Sequence, residues 1–167
     1  MTKGKIIAFS GTHGTGKTTA VYALAAEMKK AVKGEVGIIL ETARRCPFPI
    51  CKAGEEMVED AQLWIFAEQI RCELEAAQRY DLVISDRTAV DCIAYSSVGG
   101  FHELAYGQVA VVRRHLPVYK KIIFLGAQDN PYHTDDCLRH KDPELRLEVE
   151  LRLLDLYREL GVKLERG

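Results

Sequence analysis

Short apolar runs alternate with helix-like patterns along the whole chain of 167 residues. Short continuous apolar runs are typical of strands buried on both faces, and apolar residues spaced three and four apart predict amphipathic helices. This alternation predicts an α/β fold in three layers, with a mainly parallel sheet of about five strands. The predicted strands are 6–9, 36–40, 80–85, 121–125 and 162–164, and the predicted helices are 19–28, 55–79, 89–97, 104–116 and 144–160.

The helix pattern at 55–79 predicts which side of this helix packs on the sheet. Its apolar positions recur at intervals of three and four and define one face, formed by Leu63, Phe66, Ala67, Ile70, Leu74 and Ala77. Polar residues occupy the other faces, and a solvated surface is the simplest interpretation of them, above all of Glu68. These polar residues are Gln62, Glu68, Gln69 and Arg71.

Two segments lack the pattern of a helix or a strand. Pro47 and Pro49 exclude a helix interior or a central strand from residues 46–51, which predicts a loop. Residues 127–143 are polar without a period, and such a long irregular segment in a compact domain is typical of a lid or a disordered loop. The length of the chain fits a single domain, 1–167, with a lid at 127–143.

Composition narrows the classes of partner. A formal net charge of −1 gives no general attraction to nucleic acid or anionic lipid, so nucleic acid is an unexpected partner. No window approaches the roughly 18 apolar residues of a membrane span, and the apolar N-terminal run has no pattern of a cleavage site. We therefore expect a cytoplasmic protein that does not bind a membrane. A homodimer is compatible with the sequence, which does not specify the oligomeric state.

The cysteines point to reduced thiols. They are odd in number and scattered, which argues against a disulfide framework. Cys46 and Cys51 with His133 and Cys137 form a conceivable zinc site, but neither pair has the usual spacing of a zinc finger. Thiols in packing or loop positions are therefore favoured. The five cysteines are Cys46, Cys51, Cys72, Cys92 and Cys137.

The first predicted strand runs into GTHGTGKT at residues 11–18, which fits G-x-x-x-x-G-K-[ST] without a mismatch. Glycines leave no Cβ between the backbone and an anion, so successive N–H groups point at a phosphate held at the positive end of the next helix. In this motif Lys17 reaches the β- and γ-phosphates and the Thr18 hydroxyl binds Mg²⁺. A glycine-rich turn before a helix is the alternative, and the strand and helix on either side argue against it. The residues predicted to bind the nucleotide are Gly11, Thr12, His13, Gly14, Thr15, Gly16, Lys17, Thr18 and Thr19.

Two carboxylates close predicted strands. Glu41 follows the second strand and Asp86 the third, and parallel strands present their carboxyl ends at the edge of the sheet where ligands bind. Asp86 occupies the Walker B position, where a carboxylate meets the metal or a water on it. Each has a structural alternative, because Asp86 and Arg87 can form an ion pair and Glu41 can pair with Arg44 or Arg45.

Taken together, these motifs resemble the P-loop nucleoside and nucleotide kinases. The likeness rests on SGTHGTGKTT, on WIFAEQIRCELEAAQRYDLVISDRTAVDCIAY and on DDCLRHKDPELRLEVELRLLDLYRELGVKL. It extends to the AAA-like ATPase family that includes nicotinamide-riboside kinase domains. The DR-x-x-x-D-x-x-AY pattern that begins at Asp86 is similar to that of thymidylate kinases, and Glu41 shortly before Arg44 is similar to the deoxyribonucleoside kinases.

This resemblance implies roles for the matching positions. Asp86 is a metal ligand or acceptor base, Arg87 contacts phosphate, Glu41 is a base for the acceptor hydroxyl, and Arg139 closes on the phosphates from the lid. With Lys17 these are the expected catalytic residues, and the expected metal ligands are Thr18 and Asp86.

Departures from the family patterns leave the acceptor open. Thr42 and Ala43 follow Glu41 where thymidylate kinases have an arginine-proline signature, and Asp86 replaces the glutamate of deoxyribonucleoside kinases. Which of Glu41 and Asp86 is the acceptor base also stays open. His13 is either an acceptor contact or a solvent-exposed residue. Other positions, Asp91 and Tyr95, form either a hydrogen bond on one helix face or substrate contacts.

We therefore expect a kinase that uses ATP and Mg²⁺ to phosphorylate a small nucleoside- or nucleotide-like acceptor. The acceptor is expected between residues 41–51, the helix at 55–79 and Asp86. A P-loop NTP hydrolase or nucleotide-dependent switch without a small acceptor is the main alternative. A kinase that processes nucleic-acid ends is another, and the net charge near zero counts against it.

Overall fold

The computed structural model describes residues 4–50, 56–127 and 143–167 of the chain. Five strands and five α-helices form this part of the protein, with one helix or a pair of helices between successive strands, and two short 3₁₀ helices lie at Thr42–Arg45 and Leu116–Val118. The strands are β1 (Lys5–Ser10), β2 (Val36–Ile39), β3 (Leu82–Asp86), β4 (Tyr119–Phe124) and β5 (Glu165–Arg166). The helices are α1 (Lys17–Ala31), α2 (Glu59–Arg79), α3 (Ala89–Val98), α4 (His102–His115) and α5 (Pro143–Glu159).

The strands form one sheet in the order β2-β3-β1-β4-β5, and each neighbouring pair is parallel. The predicted α/β fold with a parallel sheet of five strands is therefore confirmed. From β1 the chain crosses outward to β2, whereas from β3 it crosses to the other side of β1. The loops after β1 and β3 consequently leave in opposite directions and open a crevice at the carboxyl ends of these two strands.

Apolar side chains on both faces of the sheet hold the three layers together. Along β1, Ile7 and Phe9 pack toward α1, whereas Ile6 and Ala8 belong to the cluster on the side of α2. A larger cluster joins α2, α3, α4, α5 and β4. No helix within the described ranges combines the length and the apolar character that crossing a membrane requires.

Among the predicted boundaries that shift, two have a local cause. Helix α2 begins at Glu59 and not at residue 55, because Met57 is paired antiparallel with Ile50 immediately before it. The last strand lies at Glu165–Arg166 and not at 162–164. Gly161, at φ 67°, follows the end of α5. Residues 162–164 then connect this helix to β5, which pairs with β4.

The predicted face of α2 is partly wrong. Leu63 and Leu74 are 50% and 44% exposed, whereas Gln62 and Gln69 are buried, so the interpretation of these glutamines as solvated surface is wrong. The side that packs on the protein combines small, apolar and polar residues, namely Ala61, Gln62, Ile65, Phe66, Gln69, Glu73 and Ala77.

A buried carboxylate explains why polar residues face inward here. Glu73 is fully buried and accepts hydrogen bonds from Gln69 Nε2 at 2.8 Å and Tyr119 OH at 2.8–2.9 Å, and it pairs with His115 Nε2 at 2.6 Å. Burial, followed by the charge of Glu73, raises the pKa of Tyr119 well above its ordinary value, which keeps the phenol a donor. This cluster ties α2 to the end of α4 and to β4.

The corrected face of α2 can be tested by stability. Phe66→Ala should lower the free energy of unfolding by about 3–5 kcal/mol, because it removes a buried ring and leaves a cavity. Leu63→Ala, on the same helix, should stay within about 0.5 kcal/mol of the parent protein, because its side chain is half exposed. Urea unfolding followed by circular dichroism measures both. Equal losses in the two variants would restore the face predicted from the sequence.

Candidate active site

The loop between β1 and α1 has a backbone that its glycines make possible. Gly14 and Gly16 have φ of 72° and 79°, in the left-handed region that favours glycine. At Gly11, φ is 146° and an added Cβ would lie 2.3 Å from the carbonyl oxygen of Leu125. The spacing of glycines in the motif is therefore required by the path of the chain, which leads directly into α1 at Lys17.

Lys17 lies inside this loop. Its side chain is buried, and Nζ donates hydrogen bonds to Thr12 O at 2.5 Å and Thr15 Oγ1 at 3.1 Å. Thr15 Oγ1 in turn donates to Thr12 O at 3.2 Å. The loop thus holds its cation at the N-terminus of α1, where backbone N–H groups and the helix dipole also favour an anion.

Thr18 and Asp86 meet across the crevice between β1 and β3. Thr18 Oγ1 lies 2.5 Å from Asp86 Oδ2, while Asp86 Oδ1 is shielded from solvent and has no hydrogen-bond partner in the described ranges. Magnesium prefers hard oxygen ligands and is usually held by one or two protein side chains together with phosphates and water. A hydroxyl beside an unpartnered carboxylate oxygen fits that ion.

In the part of the chain that the structure describes, this pair has no larger acidic or histidine-cysteine cluster as a competitor. Among residues 4–50, 56–127 and 143–167, no group of three or more His, Cys, Asp or Glu side chains is placed to hold a metal ion. Phosphate and water oxygens would complete the coordination shell, as is usual for Mg²⁺.

Glu41 and Arg87 form a buried ion pair beside the loop. Arg87 Nε donates to Glu41 Oε1 at 2.8 Å, and both side chains are almost fully buried. Arg44, which is more exposed, donates from Nε to Glu41 Oε2 at 3.2 Å. The structural alternative for Glu41, a pair with Arg44, is thus present together with a second pair to Arg87.

Arg87 is held from several directions. Its Nη1 donates to Gly11 O at 3.3 Å, and its guanidinium carbon lies 5.2 Å from the centre of the Tyr95 ring. Burial, the largest influence, lowers the pKa of Arg87, but Tyr95, Asp91 and Asp86 raise it by more, so the pKa lies above its ordinary value. The guanidinium is therefore a permanent, oriented cation.

The backbone of Arg87 is strained. Its φ is 84°, and it is the one non-glycine residue with a left-handed φ in the part of the chain described. Such a conformation costs on the order of 1–3 kcal/mol and persists where the surroundings impose it, often at functional sites.

Asp91 and Tyr95 have different hydrogen-bond partners, and a substrate contact of either residue stays a prediction. Asp91 forms a capping box with Thr88 at the start of α3 and also accepts from Gly11 N at 3.2 Å. Tyr95 OH lies 3.2 Å from His13 Nδ1, and His13 is buried, so the solvent-exposed alternative for His13 is excluded.

Two cavities meet at this point. The first has a volume of about 280 Å³ and is lined by His13–Thr19, Glu41, Arg44, Asp86 and Arg87. The second is smaller, about 50 Å³, and is bounded by α2, α3 and the segment after β2. Its lining is mainly apolar, and it shares His13 and Arg87 with the first cavity. Its lining also includes Ile50, Gln62, Ile65, Cys92 and Leu145.

Most of the predicted site residues are therefore close together. The loop residues His13 to Thr19, Glu41, Asp86 and Arg87 line one cavity, and Gly11 and Thr12 lead into it. Arg139, the lid at 127–143 apart from its two end residues, and the zinc candidates Cys51, His133 and Cys137 lie outside the described residues. The described cysteines Cys46, Cys72 and Cys92 are free thiols.

Sequence analysis missed Arg146, on the first turns of α5. Its Nη2 lies 3.7 Å from the point that a Cβ on Gly14 would occupy. Its Nε and Nη2 are shielded from solvent and have no hydrogen-bond partner among the residues described. A shielded guanidinium of this kind needs a partner, and an anion in the loop would provide one. In the sequence, Arg146 looks like solvated helix surface, and its position just after the predicted lid was the available signal.

Comparisons with known proteins agree with this geometry. A family model described as an AAA domain matches residues 6–166, and no curated protein matches the chain. NadR protein in complex with NR has a TM-score of 0.71 and 21% identity, over 98% of this chain and 45% of that chain. Thymidylate kinase from Ehrlichia chaffeensis has a TM-score of 0.66 and 18% identity, over 98% of this chain and 86% of that one. NadR protein in complex with NAD and AMP-PNP has a TM-score of 0.63 and 18% identity, over 95% and 42%.

These solved structures share the fold of the chain at low identity. The chain spans less than half the length of the NadR chains that it matches. The family model covers almost all of the sequence, and the resemblance to P-loop nucleoside and nucleotide kinases is confirmed. The chain therefore belongs to the AAA domain family and has the fold of the P-loop nucleotide kinases.

Proposed function

We propose that this protein is a cytoplasmic kinase that transfers the γ-phosphoryl group of ATP to a small nucleoside- or nucleotide-like acceptor. One observation carries the proposal: a polar cavity around the phosphate loop and an apolar cavity share His13 and Arg87. A phosphate in the first cavity and a ring-bearing acceptor in the second would meet at these two side chains. A hydrolase that positions only water has no need of the second cavity.

The phosphate side of the site is built from the residues at the start of α1. The loop N–H groups and Lys17 would bind the β- and γ-phosphates, since Lys17 is already held inside the loop. Thr18 and Asp86 would hold Mg²⁺, and the ion when bound would neutralise charge on the phosphate oxygens. Phosphoryl transfer requires mainly such positioning and charge neutralisation.

Arg87 lines both cavities, and Glu41, its ion-pair partner, lines the polar one. Arg87 would neutralise charge on the transferred group, and its contacts with Glu41 and Tyr95, which hold the guanidinium in place, support this role. Glu41 Oε2 is bonded to the more exposed Arg44. An incoming hydroxyl would donate a hydrogen bond to this oxygen, which would accept its proton as the acceptor oxygen bonds to the γ-phosphorus and ADP leaves. Asp86 holds the metal in this assignment, and Glu41 serves the acceptor. The role of Arg139, to close on the phosphates, stays a prediction from the resemblance.

The acceptor side has to widen when it is occupied. Ligand sites of small molecules usually have volumes of roughly 300–1,000 Å³, and the apolar cavity has about 50 Å³. Ile50, Ile65 and Leu145 would contact an apolar ring, while the buried Gln62 would supply hydrogen bonds to its edge. The names of the solved relatives, a thymidylate kinase and NadR in complex with NR, support an acceptor of nucleoside size.

The loop lysine provides the first test of this function. Lys17→Ala should leave the fold intact and lower turnover by at least about 100-fold. The variant loses the lysine charge that would neutralise the transferred phosphate, while the loop N–H groups remain. Thr18→Ala should weaken Mg²⁺-dependent ATP binding. Lys29→Ala is the matched control, since Lys29 lies on the exposed side of the same helix. Turnover in Lys17→Ala equal to that of the control would contradict the assignment.

A second test separates a kinase from a hydrolase. ATP consumption is measured for the parent protein, Glu41→Gln and Asp86→Asn, each with and without a panel of nucleosides and nucleotides. An acceptor should raise the turnover of the parent protein, and Glu41→Gln should lose that increment while it still binds ATP. Asp86→Asn should lose Mg²⁺-dependent activity altogether. If no acceptor raises turnover and Glu41→Gln hydrolyses ATP like the parent, the protein is a hydrolase or a switch.

Arg146 provides a third test on the phosphate side. Arg146→Met should weaken ATP binding about 10- to 100-fold, as expected for the loss of hydrogen bonds between charged groups. Binding of AMP should change little, because AMP lacks the terminal phosphates. Arg152→Met is the control on the same helix, since Arg152 pairs with Glu159 at the surface. Isothermal titration calorimetry measures both nucleotides, and equal ATP affinities of the two variants would remove Arg146 from the site.

A further inference from the structure

Gln69 lies behind the two charged residues of the acceptor side and contacts the chain near both of them. It projects from α2 and is fully buried. Its Oε1 accepts a hydrogen bond from Thr42 Oγ1 at 3.1 Å, and Thr42 directly follows Glu41. Its Nε2 lies 3.3 Å from Ser85 Oγ and 3.4 Å from Arg87 O. One amide therefore reaches the ends of both β2 and β3.

At the end of β3, Gln69 contacts Arg87, whose backbone is strained. Arg87 has a φ of 84°, and a left-handed conformation persists in a residue with a side chain where the surroundings hold it. Ser85 Oγ donates to Arg87 O at 2.9 Å, and Gln69 Nε2 reaches both of these oxygens. On the other side, Arg87 N donates to Phe9 O at 2.8 Å. The peptide groups on either side of Arg87 are thus fixed by partners from three elements.

The orientation of the amide is itself determined. Glu73 is fully buried and its carboxylate accepts from Gln69 Nε2 at 2.8 Å, so the NH₂ group has to face Glu73. The amide oxygen then faces Thr42, which donates to it. His115 and Tyr119 hold Glu73 in turn, from the end of α4 and the start of β4. These contacts connect His115 on α4 and Tyr119 on β4, through Glu73 and Gln69, to the chain at the ends of β2 and β3.

We infer that Gln69 is a positioning residue, which sets the geometry of the Glu41–Arg87 pair by holding the backbone beside each partner. The pair is formed across two separate loops, at 2.8 Å, and Gln69 bonds to Thr42 on one side and to the Ser85–Arg87 turn on the other. Gln69 itself does not line either cavity. The catalytic consequence rests on the proposed function, whereas the geometry rests on the contacts alone.

The test removes the contacts of the amide together and then one side at a time. Gln69→Leu removes all of them with little change in volume, and Thr42→Val removes the bond to the segment after β2. Ser85→Ala removes the contact of the amide with Ser85 Oγ and the bond from Ser85 Oγ to Arg87 O. Gln108→Leu is the matched control, because Gln108 is a buried glutamine whose side-chain atoms have no hydrogen-bond partner among the described residues.

The first readout does not depend on activity. Nitrogen-15 NMR observes the Nε–H of Arg87, which the bond to Glu41 should protect from exchange with water in the parent protein and in Gln108→Leu. Gln69→Leu should increase that exchange rate by at least about 10-fold, since the two loops are no longer held in register. Thr42→Val and Ser85→Ala should produce the same change to a smaller extent, and they carry the test if Gln69→Leu does not fold.

The second readout is kinetic and specific for positioning. Gln69→Leu should lower kcat with the acceptor about 10- to 100-fold, because small displacements of a catalytic group have effects of this size. The affinity for ATP, measured separately, should stay within about twofold of the parent, since the loop that binds phosphate keeps its own contacts. A loss of stability alone would lower the amount of active protein and leave kcat per folded molecule and the exchange of Arg87 Nε–H unchanged.

The outcomes are distinguishable. Protection of Arg87 Nε–H in Gln69→Leu, Thr42→Val and Ser85→Ala equal to that in Gln108→Leu overturns the positioning role, whatever the activity. Altered exchange with kcat equal to that of the control also overturns it, since the geometry would then not matter for transfer. If the parent protein shows no acceptor-dependent turnover, the proposed function fails, and the exchange measurement still decides whether Gln69 holds the pair.

Discussion

A single buried carboxylate, Asp91, joins the loops on which the site depends. It is fully buried, and its Oδ2 accepts from Ser10 Oγ at 2.9 Å, Thr88 N at 2.9 Å and Thr88 Oγ1 at 2.7 Å, while Oδ1 accepts from Gly11 N at 3.2 Å. A buried carboxylate is tolerated when donors surround it in this way. These donors come from the end of β1 and the start of α3, so the same charge that caps a helix fixes where the phosphate loop begins.

Local motifs were predictable from the sequence because their geometry is determined by neighbouring residues. Gly11, Gly14 and Gly16 need backbone angles or a close approach that other residues rarely allow, and Lys17 follows at the start of a helix. The convergence of Glu41, Asp86 and Arg87 at one edge was also predictable, because it follows from parallel strands and right-handed crossovers.

The positions of the buried polar residues of α2 and of Arg146 depend on partners that are distant in the sequence. Gln69 and Glu73 resemble surface residues of α2 by periodicity, and they face inward because Ser85, His115 and Tyr119 provide buried polar partners. The hydrophobic pattern records which residues avoid water and carries no information about such pairing. Polar residues on a buried face were therefore assigned to the wrong side of the helix. Arg146 was missed for the same reason, since α5 carries it to the phosphate loop from the far end of the chain.

A buried polar atom without a hydrogen-bond partner indicates a ligand site only in certain surroundings. Asp86 Oδ1 and Arg146 Nε have no hydrogen-bond partner among the described residues, and one carries negative and the other positive charge beside the same loop. Gln108 on α4 also has no side-chain partner among the described residues, but it is neutral and lines neither cavity, so an unpartnered polar group alone does not define a site. Opposite charges around one anion-binding loop are what a phosphate chain with its metal ion would satisfy together. The polar network behind them runs from His115 through Glu73 to Gln69, and within the described ranges none of its buried side-chain atoms lacks a partner. The unpartnered charges of Asp86 and Arg146 lie on the ligand side of this network.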